Sequence, residues 1–206
     1  MKPRGVLVLL ALVGCTDVGR PERPETYPFA YTIPSGFVAV FHWPTPSLPV
    51  RVWAEPNGEL PEDVAHGLRL WEGVATYGEF RGVLVADSTQ ADVIVRLGAP
   101  ETPGPGAVLA CSASTAWGIN LDTTISLPFR TTLRGRTGGS TSDVAACLRI
   151  LAAHELGHAL GLIRESDDPA DLMYGVPTVA VPSLRDRATF TTLYHTAPTV
   201  RVPAGR

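Results

Sequence analysis

Two histidines and a glutamate stand at a spacing that can hold a metal ion and move a proton. His154, Glu155 and His158 belong to the segment HELGH, and residues four apart on a helix share one face. Both imidazoles can therefore offer a nitrogen to one ion, with the Glu155 carboxylate beside it. This spacing is typical of zinc sites in which the glutamate is a general base. The alternative is a helix with two hydrogen-bonded core histidines, which is unusual in an apolar helix.

A longer stretch around these residues resembles a known family. HELGHALGL, with Gly161, is similar to the zinc-binding motif HExxHxxGxxH of the metzincin metallopeptidases. DLMYG, at 171–175, resembles the Met-turn of that clan, and the closing SLRDRATFTTLY is most similar to the matrixin branch. The resemblance covers roughly residues 31–195 in the order of the elements, while its specific motifs lie between 147 and 194.

The resemblance implies a zinc metalloendopeptidase with one catalytic zinc ion (Zn2+). His154 and His158 would bind the zinc, and Glu155 would be the general base for a zinc-activated water that attacks the peptide bond. Gly161 would let the chain turn sharply after the helix, and Met173 would lie beneath the metal as an apolar floor. The implied partner is a peptide or protein substrate.

The sequence departs from the family pattern at the third zinc ligand. The expected histidine is replaced by Arg164, whose guanidinium stays protonated and has no lone pair to offer. Glu165, Asp167 and Asp168 follow it and carry oxygen atoms that zinc accepts. Glu165 is nearest, but neighbouring side chains of an extended segment face opposite ways, so it needs a local twist. Three outcomes stay open: Glu165, one of the aspartates, or no third protein ligand.

Arg164 also leaves a second class of function open. A relative that had lost its zinc would keep the fold and act as a surface binding module without catalysis. The presence of Glu155 favours the enzyme, because binding alone requires no general base. We therefore expect a metallopeptidase, with the inactive binding module as the alternative.

Other metal sites have little support in the sequence. No histidine lies between His66 and His154, so the loop that carries a structural zinc in many matrixins lacks nitrogen ligands in this chain. Asp122 and its neighbours offer oxygen atoms to calcium, but a lone aspartate is more typical of a turn. The resemblance also implies that a strand near 106–112 binds the substrate, by pairing with an extended peptide.

The N-terminus indicates export. Lys2 and Arg4 precede an apolar run, residues 5–13, that is too short to span a bilayer as a helix and is typical of a signal peptide. The run ends in LVGC, which resembles the lipobox of bacterial lipoproteins, so we expect removal of residues 1–14 and lipidation of Cys15. The predicted location is the outer membrane or the cell surface, with the lipid as the only membrane attachment.

The remaining cysteines and the charge fit that location. An exported chain can form disulfides, so we expect Cys111 and Cys147 to pair, the alternative being two separately buried thiols. The formal net charge is −3, and the basic residues are scattered along the chain without forming a stripe. Nucleic acid is therefore not an expected partner.

The elements that must position the site follow from hydrophobic periodicity. Residues 15–30 are rich in proline and charge and predict a tether, 31–197 predict one domain, and 198–206 a tail. Within the domain, alternation predicts strands at 48–55, 82–88 and 91–98, and a helix begins at 61. Residues 99–141 predict loops around one or two strands, with strand-like pieces at AVLAC and TISLPF.

Two further helices close the predicted fold. One covers 142–163, with Ser142 or Asp143 as N-cap, and the other follows Pro182, with Leu184, Ala188 and Tyr194 on its inner face. The prediction is an α+β domain of the metzincin kind, a twisted mixed sheet with two long helices and a C-terminal helix.

Overall fold

A mixed five-stranded sheet is the centre of the fold. A computed structural model of the protein describes residues 25–99, 111–135 and 140–204. The N-terminal ribbon consists of β1 (Tyr31–Thr32) and β2 (Val38–Ala39). The main sheet contains β3 (Val50–Ala54), β4 (Gly82–Leu84), β5 (Val93–Leu97), β6 (Ser112–Ala116) and β7 (Phe129–Arg134). Their spatial order is β4-β3-β5-β7-β6, and all neighbours run parallel except β6, which is antiparallel to β7.

Three helices accompany the sheet, and the architecture is therefore α+β. They are α1 (Leu60–Val74), α2 (Thr141–Ala159) and α3 (Leu184–Tyr194), with short 3-10 turns at Thr45–Ser47 and Ser88–Gln90. The N-cap of α2 is Ser140, whose hydroxyl accepts from the Asp143 amide, so the predicted caps Ser142 and Asp143 are wrong. No helix within the described ranges is long and apolar enough to cross a bilayer.

One face of the sheet is buried under the helices. In β3, Val50, Val52 and Ala54 are buried while the residues between them are partly exposed, as the alternation predicts. The helices also pack closely on one another, because the Trp71 indole of α1 donates a hydrogen bond to the Ala153 carbonyl of α2 at 2.8 Å. Burial of these apolar faces holds α2 against the sheet.

Two strands of the main sheet, β6 and β7, are rich in polar residues. The structure confirms the predicted strands that became β3, β4 and β5, and the helix that became α1. TISLPF is irregular up to Phe129, where β7 (FRTTLR) begins, so the strand predicted there is wrong. Of AVLAC, which precedes β6 (SASTA), only Cys111 lies within the described residues, so that prediction is not tested. The Ser/Thr excess of residues 99–141 predicts loops, but the strands in this region carry polar side chains on the solvent face and inside the site.

The inner face of α3 also differs from the prediction. Leu184 is 77% exposed, and the buried residues are Asp186, Thr189, Phe190, Leu193 and Tyr194. The helix is rotated so that the Asp186 carboxylate points inward and accepts the Leu172 amide at 2.7 Å. Hydrophobic periodicity cannot signal a helix that buries a carboxylate.

The packed domain extends beyond the predicted limits of 31 and 197. Tyr27 is buried and its hydroxyl donates to Asp186 at 2.9 Å, while Val200 is buried and its amide donates to the Val40 carbonyl at 3.1 Å. Cys111, just before β6, and Cys147, in α2, form a disulfide. The signal peptide 1–14 and Cys15 lie outside the described residues.

Candidate metal centre

The two histidines of HELGH lie in the last turns of α2 with their ring positions fixed by backbone carbonyls. Nδ1 of His154 is 2.8 Å from the Leu172 oxygen, and Nδ1 of His158 is 2.7 Å from the Leu162 oxygen. A carbonyl can only accept, so each Nδ1 carries the proton and each neutral ring keeps its lone pair on Nε2. Both Nε2 atoms are thereby prepared to bind a metal ion.

Glu165 brings its carboxylate to these two nitrogens. Its Oε1 lies 3.3 Å from His158 Nε2, and its Oε2 lies 3.6 Å from His154 Nε2. In the part of the chain that the structure describes, no other three His, Cys, Asp or Glu side chains come together in this way. Of the alternatives that the sequence left open, the structure therefore brings Glu165 into the group.

The two nitrogen-to-oxygen distances, each to a different oxygen of Glu165, are close to the edge length of a zinc coordination tetrahedron. Zinc binds histidine nitrogen at about 2.0 to 2.1 Å and carboxylate oxygen at about 2.0 to 2.2 Å, so two ligand atoms of a regular tetrahedron lie about 3.4 Å apart. The observed nitrogen-to-oxygen distances are 3.3 and 3.6 Å. Two histidines and one glutamate leave a fourth position open, as catalytic zinc sites require. The residues present thus fit zinc.

The turn after α2 explains why the carboxylate reaches the histidines. Gly161 has φ +112°, and a Cβ at this position would overlap the Phe41 carbonyl oxygen, so only glycine fits. Beyond it, the Ser166 amide donates to the Met173 carbonyl at 2.7 Å, which ties the segment to the 171–175 turn. Glu165 precedes this anchor directly. Glu165 and Arg164 are both exposed, but the Glu165 carboxylate lies against the two histidines.

The two neighbouring aspartates have other partners. Asp167 forms an ion pair with Arg185 at 2.6 Å, and Asp168 accepts the Ala170 amide at 2.9 Å. Arg185 also reaches Asp171 at 3.3 Å, which connects the segment after Glu165 to the start of α3. These contacts fix the loop that carries Glu165.

Met173 packs directly against the metal-site helix. It is fully buried, and a Cβ on Gly157 would overlap its sulfur, so the side chain touches α2 between the two histidines in sequence. Asp186 supports this turn by accepting the Leu172 and Met173 amides at 2.7 and 3.3 Å. Asp186 is not among the predicted site residues, although the S-x-x-D pattern at the start of α3 is typical of a capping residue.

Glu155 is held by a hydroxyl from the sheet. It is 3% exposed, and its Oε2 lies 2.6 Å from Thr115 Oγ1 on β6, which in turn lies 2.8 Å from Thr131 Oγ1 on β7. An ionised carboxylate can only accept, so Thr115 donates to Glu155 and Thr131 donates to Thr115. The two threonines fix one carboxylate oxygen of Glu155, and no sequence pattern indicates either of them.

The charges in the site are strongly coupled. Burial lowers the pKa of His158, but the hydrogen bond to Glu165 and the charges of Glu155 and Glu165 outweigh it and raise the pKa to about 9. Burial raises the pKa of Glu165, but the contacts with both imidazoles outweigh it and hold that pKa well below its usual range. A proton on His158 therefore compensates Glu165 when no metal does so.

Fold and donor set together define an α+β protein with a candidate two-histidine, one-glutamate metal centre. No protein-family model matches this chain, and no curated protein matches it in sequence. The function of the site is therefore argued from its geometry. Asp122, the residue considered for calcium, accepts hydrogen bonds from the Thr124 amide and hydroxyl at 3.1 and 2.6 Å, as a turn residue does.

Proposed function

We propose that the protein is a zinc-dependent metalloendopeptidase of the metzincin type. One observation carries the proposal: His154, His158 and Glu165 each offer a donor atom, these atoms lie within 4.8 Å of one another, and Glu155 follows His154 in the same helix. A set of two histidines and one glutamate is used by catalytic zinc sites that hydrolyse peptide bonds. Arg164 is exposed, which argues against the inactive binding module.

The residues of the site divide the chemistry between them. Zinc in such a site is a Lewis acid that polarises a carbonyl and lowers the pKa of a water to about 7. His154, His158 and Glu165 hold the ion, and the backbone carbonyls behind the histidines keep each Nε2 in the binding orientation. Glu155 takes the proton from the attacking water and returns it to the leaving amine.

The edge of the sheet offers a place for an extended peptide. Among the described strands β6 lies at the end of the sheet, with only β7 beside it. Its Thr115 touches Glu155, so a peptide that pairs with the free edge of β6 passes next to the general base. The substrate strand expected near 106–112 is therefore assigned to Ser112–Ala116.

Export as a lipoprotein is the second part of the proposal. The LVGC motif predicts lipidation at Cys15 and a location at the outer membrane or cell surface. The disulfide between Cys111 and Cys147 supports export, because such bonds persist in oxidising compartments. Metabolic labelling with a radioactive fatty acid tests it: we expect label in the wild type and none in Cys15→Ala.

The zinc content of the mature chain tests the peptidase proposal. We expect the wild type to hold one zinc ion and to hydrolyse casein. Glu165→Ala should lower the zinc affinity at least about 100-fold, since even changes behind the ligands cost 10- to 100-fold. Glu155→Gln should keep the zinc and lose activity by about 100-fold or more. A wild type without zinc, together with an Arg164→His variant that binds it, would instead identify a decayed site.

A further inference from the structure

The face of the sheet opposite the helices is basic. Four arginines point to this outer face from three neighbouring strands: Arg51 on β3, Arg96 on β5, and Arg130 and Arg134 on β7. On β3 and β7 the arginines alternate with buried residues, and the register of β5 with β7, in which Arg96 pairs with Thr132, puts Arg96 on the same side. The chain as a whole carries a formal charge of −3, so the basic character of this face is opposite in sign to the net charge.

The four arginines differ in how their charge is compensated. Arg51 forms two hydrogen bonds with the Asp92 carboxylate, at 2.9 and 3.1 Å. Arg96 stacks over the Trp53 ring, 5.4 Å from its centre. Within residues 25–99, 111–135 and 140–204, no carboxylate lies within 4.0 Å of the guanidinium of Arg96 or Arg130. These two cations are free to bind an anion.

Arg96 and Arg130 share a small cavity that opens beside the edge strand. Its volume is about 140 Å³, and its lining also includes Ser114 and Ala116 of β6 and Thr132 of β7. Arg130 is paired in register with Ala116, and Thr132 with Ser114. The β6 residues between the arginine and the free edge of the sheet are therefore small, which leaves a path across β6.

The distances across the sheet allow Arg130 to reach a bound peptide. Strands lie about 4.8 Å apart, so a peptide residue opposite Ala116 would have its Cα about 9.6 Å from that of Arg130. An extended arginine reaches about 7 Å from its Cα and a glutamate about 4 Å, which together exceed this separation. Arg96 is one strand further away and is too distant for direct contact with the same residue.

We propose that Arg130 selects substrates with an acidic side chain, at the position that lies opposite Ala116 when an extended peptide pairs with β6. Arg96 raises the positive potential behind it. This inference rests on the proposed function for the bound peptide, and it adds the chemical class of the substrate. Thr115, the neighbour of Ala116, donates to Glu155, so the acidic residue lies close to the peptide bond that faces the general base.

Peptide binding to the mature Glu155→Gln protein tests the proposal without cleavage. The probes are fluorescein-labelled peptides of about eight residues that alternate valine with glutamate, glutamine or lysine. Alternation places every second side chain over the outer face in either chain direction. By fluorescence anisotropy we expect the glutamate peptide to bind about fivefold more tightly than the glutamine peptide at low salt, as for one solvent-exposed ion pair. The difference should shrink as salt is added.

Two substitutions and one control locate the effect. Arg130→Met should abolish the preference for glutamate, and Ala116→Leu, which obstructs the path across β6, should reduce it while the glutamine peptide still binds. Arg69→Met removes the same charge from an exposed position on α1 and should leave the preference intact. Equal affinities for the glutamate and glutamine peptides, no peptide binding at all, or an equal effect of Arg69→Met would overturn the inference.

The outcomes separate this inference from the peptidase proposal. If the glutamate peptide binds through Arg130 but the zinc-loaded wild type cleaves none of the three peptides, the peptidase proposal fails and the acidic preference stands. If the wild type cleaves all three equally and Arg130→Met changes nothing, the acidic preference fails and the peptidase stands.

Discussion

In the proposed metal centre, zinc would compete with a proton for His158, and this competition can be measured. Glu165 and Glu155 outweigh the effect of burial and raise the pKa of this imidazole to about 9. At pH 7 about 99% of the rings are protonated at Nε2, so binding of zinc must displace about one proton. The apparent zinc affinity should therefore rise with pH, by about 50-fold between pH 7 and pH 9.

Glu165→Gln is the informative perturbation. Without the carboxylate charge, the pKa of His158 should fall back toward its ordinary value of about 6.5, at which only about a quarter of the rings carry a proton at pH 7. The variant should release about three-quarters of a proton less than the wild type on binding zinc. A coordinated water that ionises contributes to both proteins, so the difference between them reports on His158.

Calorimetry in two buffers of different ionisation enthalpy gives the number of protons released, and chelator competition at several pH values gives the affinity. Glu79→Gln is the matched control, because it removes the same charge at a position away from the metal centre. Glu79 contacts His195 at 3.3 Å. If the wild type releases no more protons than Glu165→Gln at pH 7, the contact between Glu165 and His158 does not set this protonation, and the reasoning fails.

Two further predictions concern stability. Gly161→Ala combines a positive φ with a Cβ that would overlap a backbone oxygen, so it should cost about 3 kcal/mol or more in urea unfolding. Gly73→Ala, in the last turn of α1 with open space at its Cβ, should be neutral or slightly stabilising. The disulfide between Cys111 and Cys147 closes a loop of 36 residues. Its reduction should lower the free energy of unfolding by about 4 kcal/mol and the Tm by about 10 °C. An unchanged Tm on reduction would show that the bond does not stabilise the fold.

Local periodicity predicted the elements with a clear apolar face. β3 buries alternate apolar residues, β5 buries three consecutive ones and α1 buries helically spaced ones, so the pattern located them within a few residues. β6 and β7 could not be found in this way, because threonines on their buried face serve the site rather than the core. Rules that equate burial with hydrophobicity fail where a strand supplies polar groups to the inside.

The same distinction applies to the site. His154, Glu155 and His158 were predictable, because their geometry depends only on the pitch of one helix. Thr115 contacts Glu155 across 40 residues of sequence, and Asp186 supports the Met173 turn from the following helix. Such partners depend on how separate elements pack, and no short sequence pattern encodes that arrangement.

If the proposed zinc centre is correct, the arginine at the position of the expected third histidine is explained by a shift of the ligand by one residue, to Glu165. A guanidinium about 5 Å from a divalent ion would cost about 6 to 7 kcal/mol at an effective dielectric constant near 20, enough to abolish useful affinity. The turn at Gly161 and the anchor at Ser166 avoid this cost, because Arg164 is exposed while Glu165 meets both imidazoles. The carboxylate also offsets one of the two zinc charges, which a histidine would not do. An arginine at the motif position is therefore compatible with a functional zinc centre, provided that the loop presents the next residue.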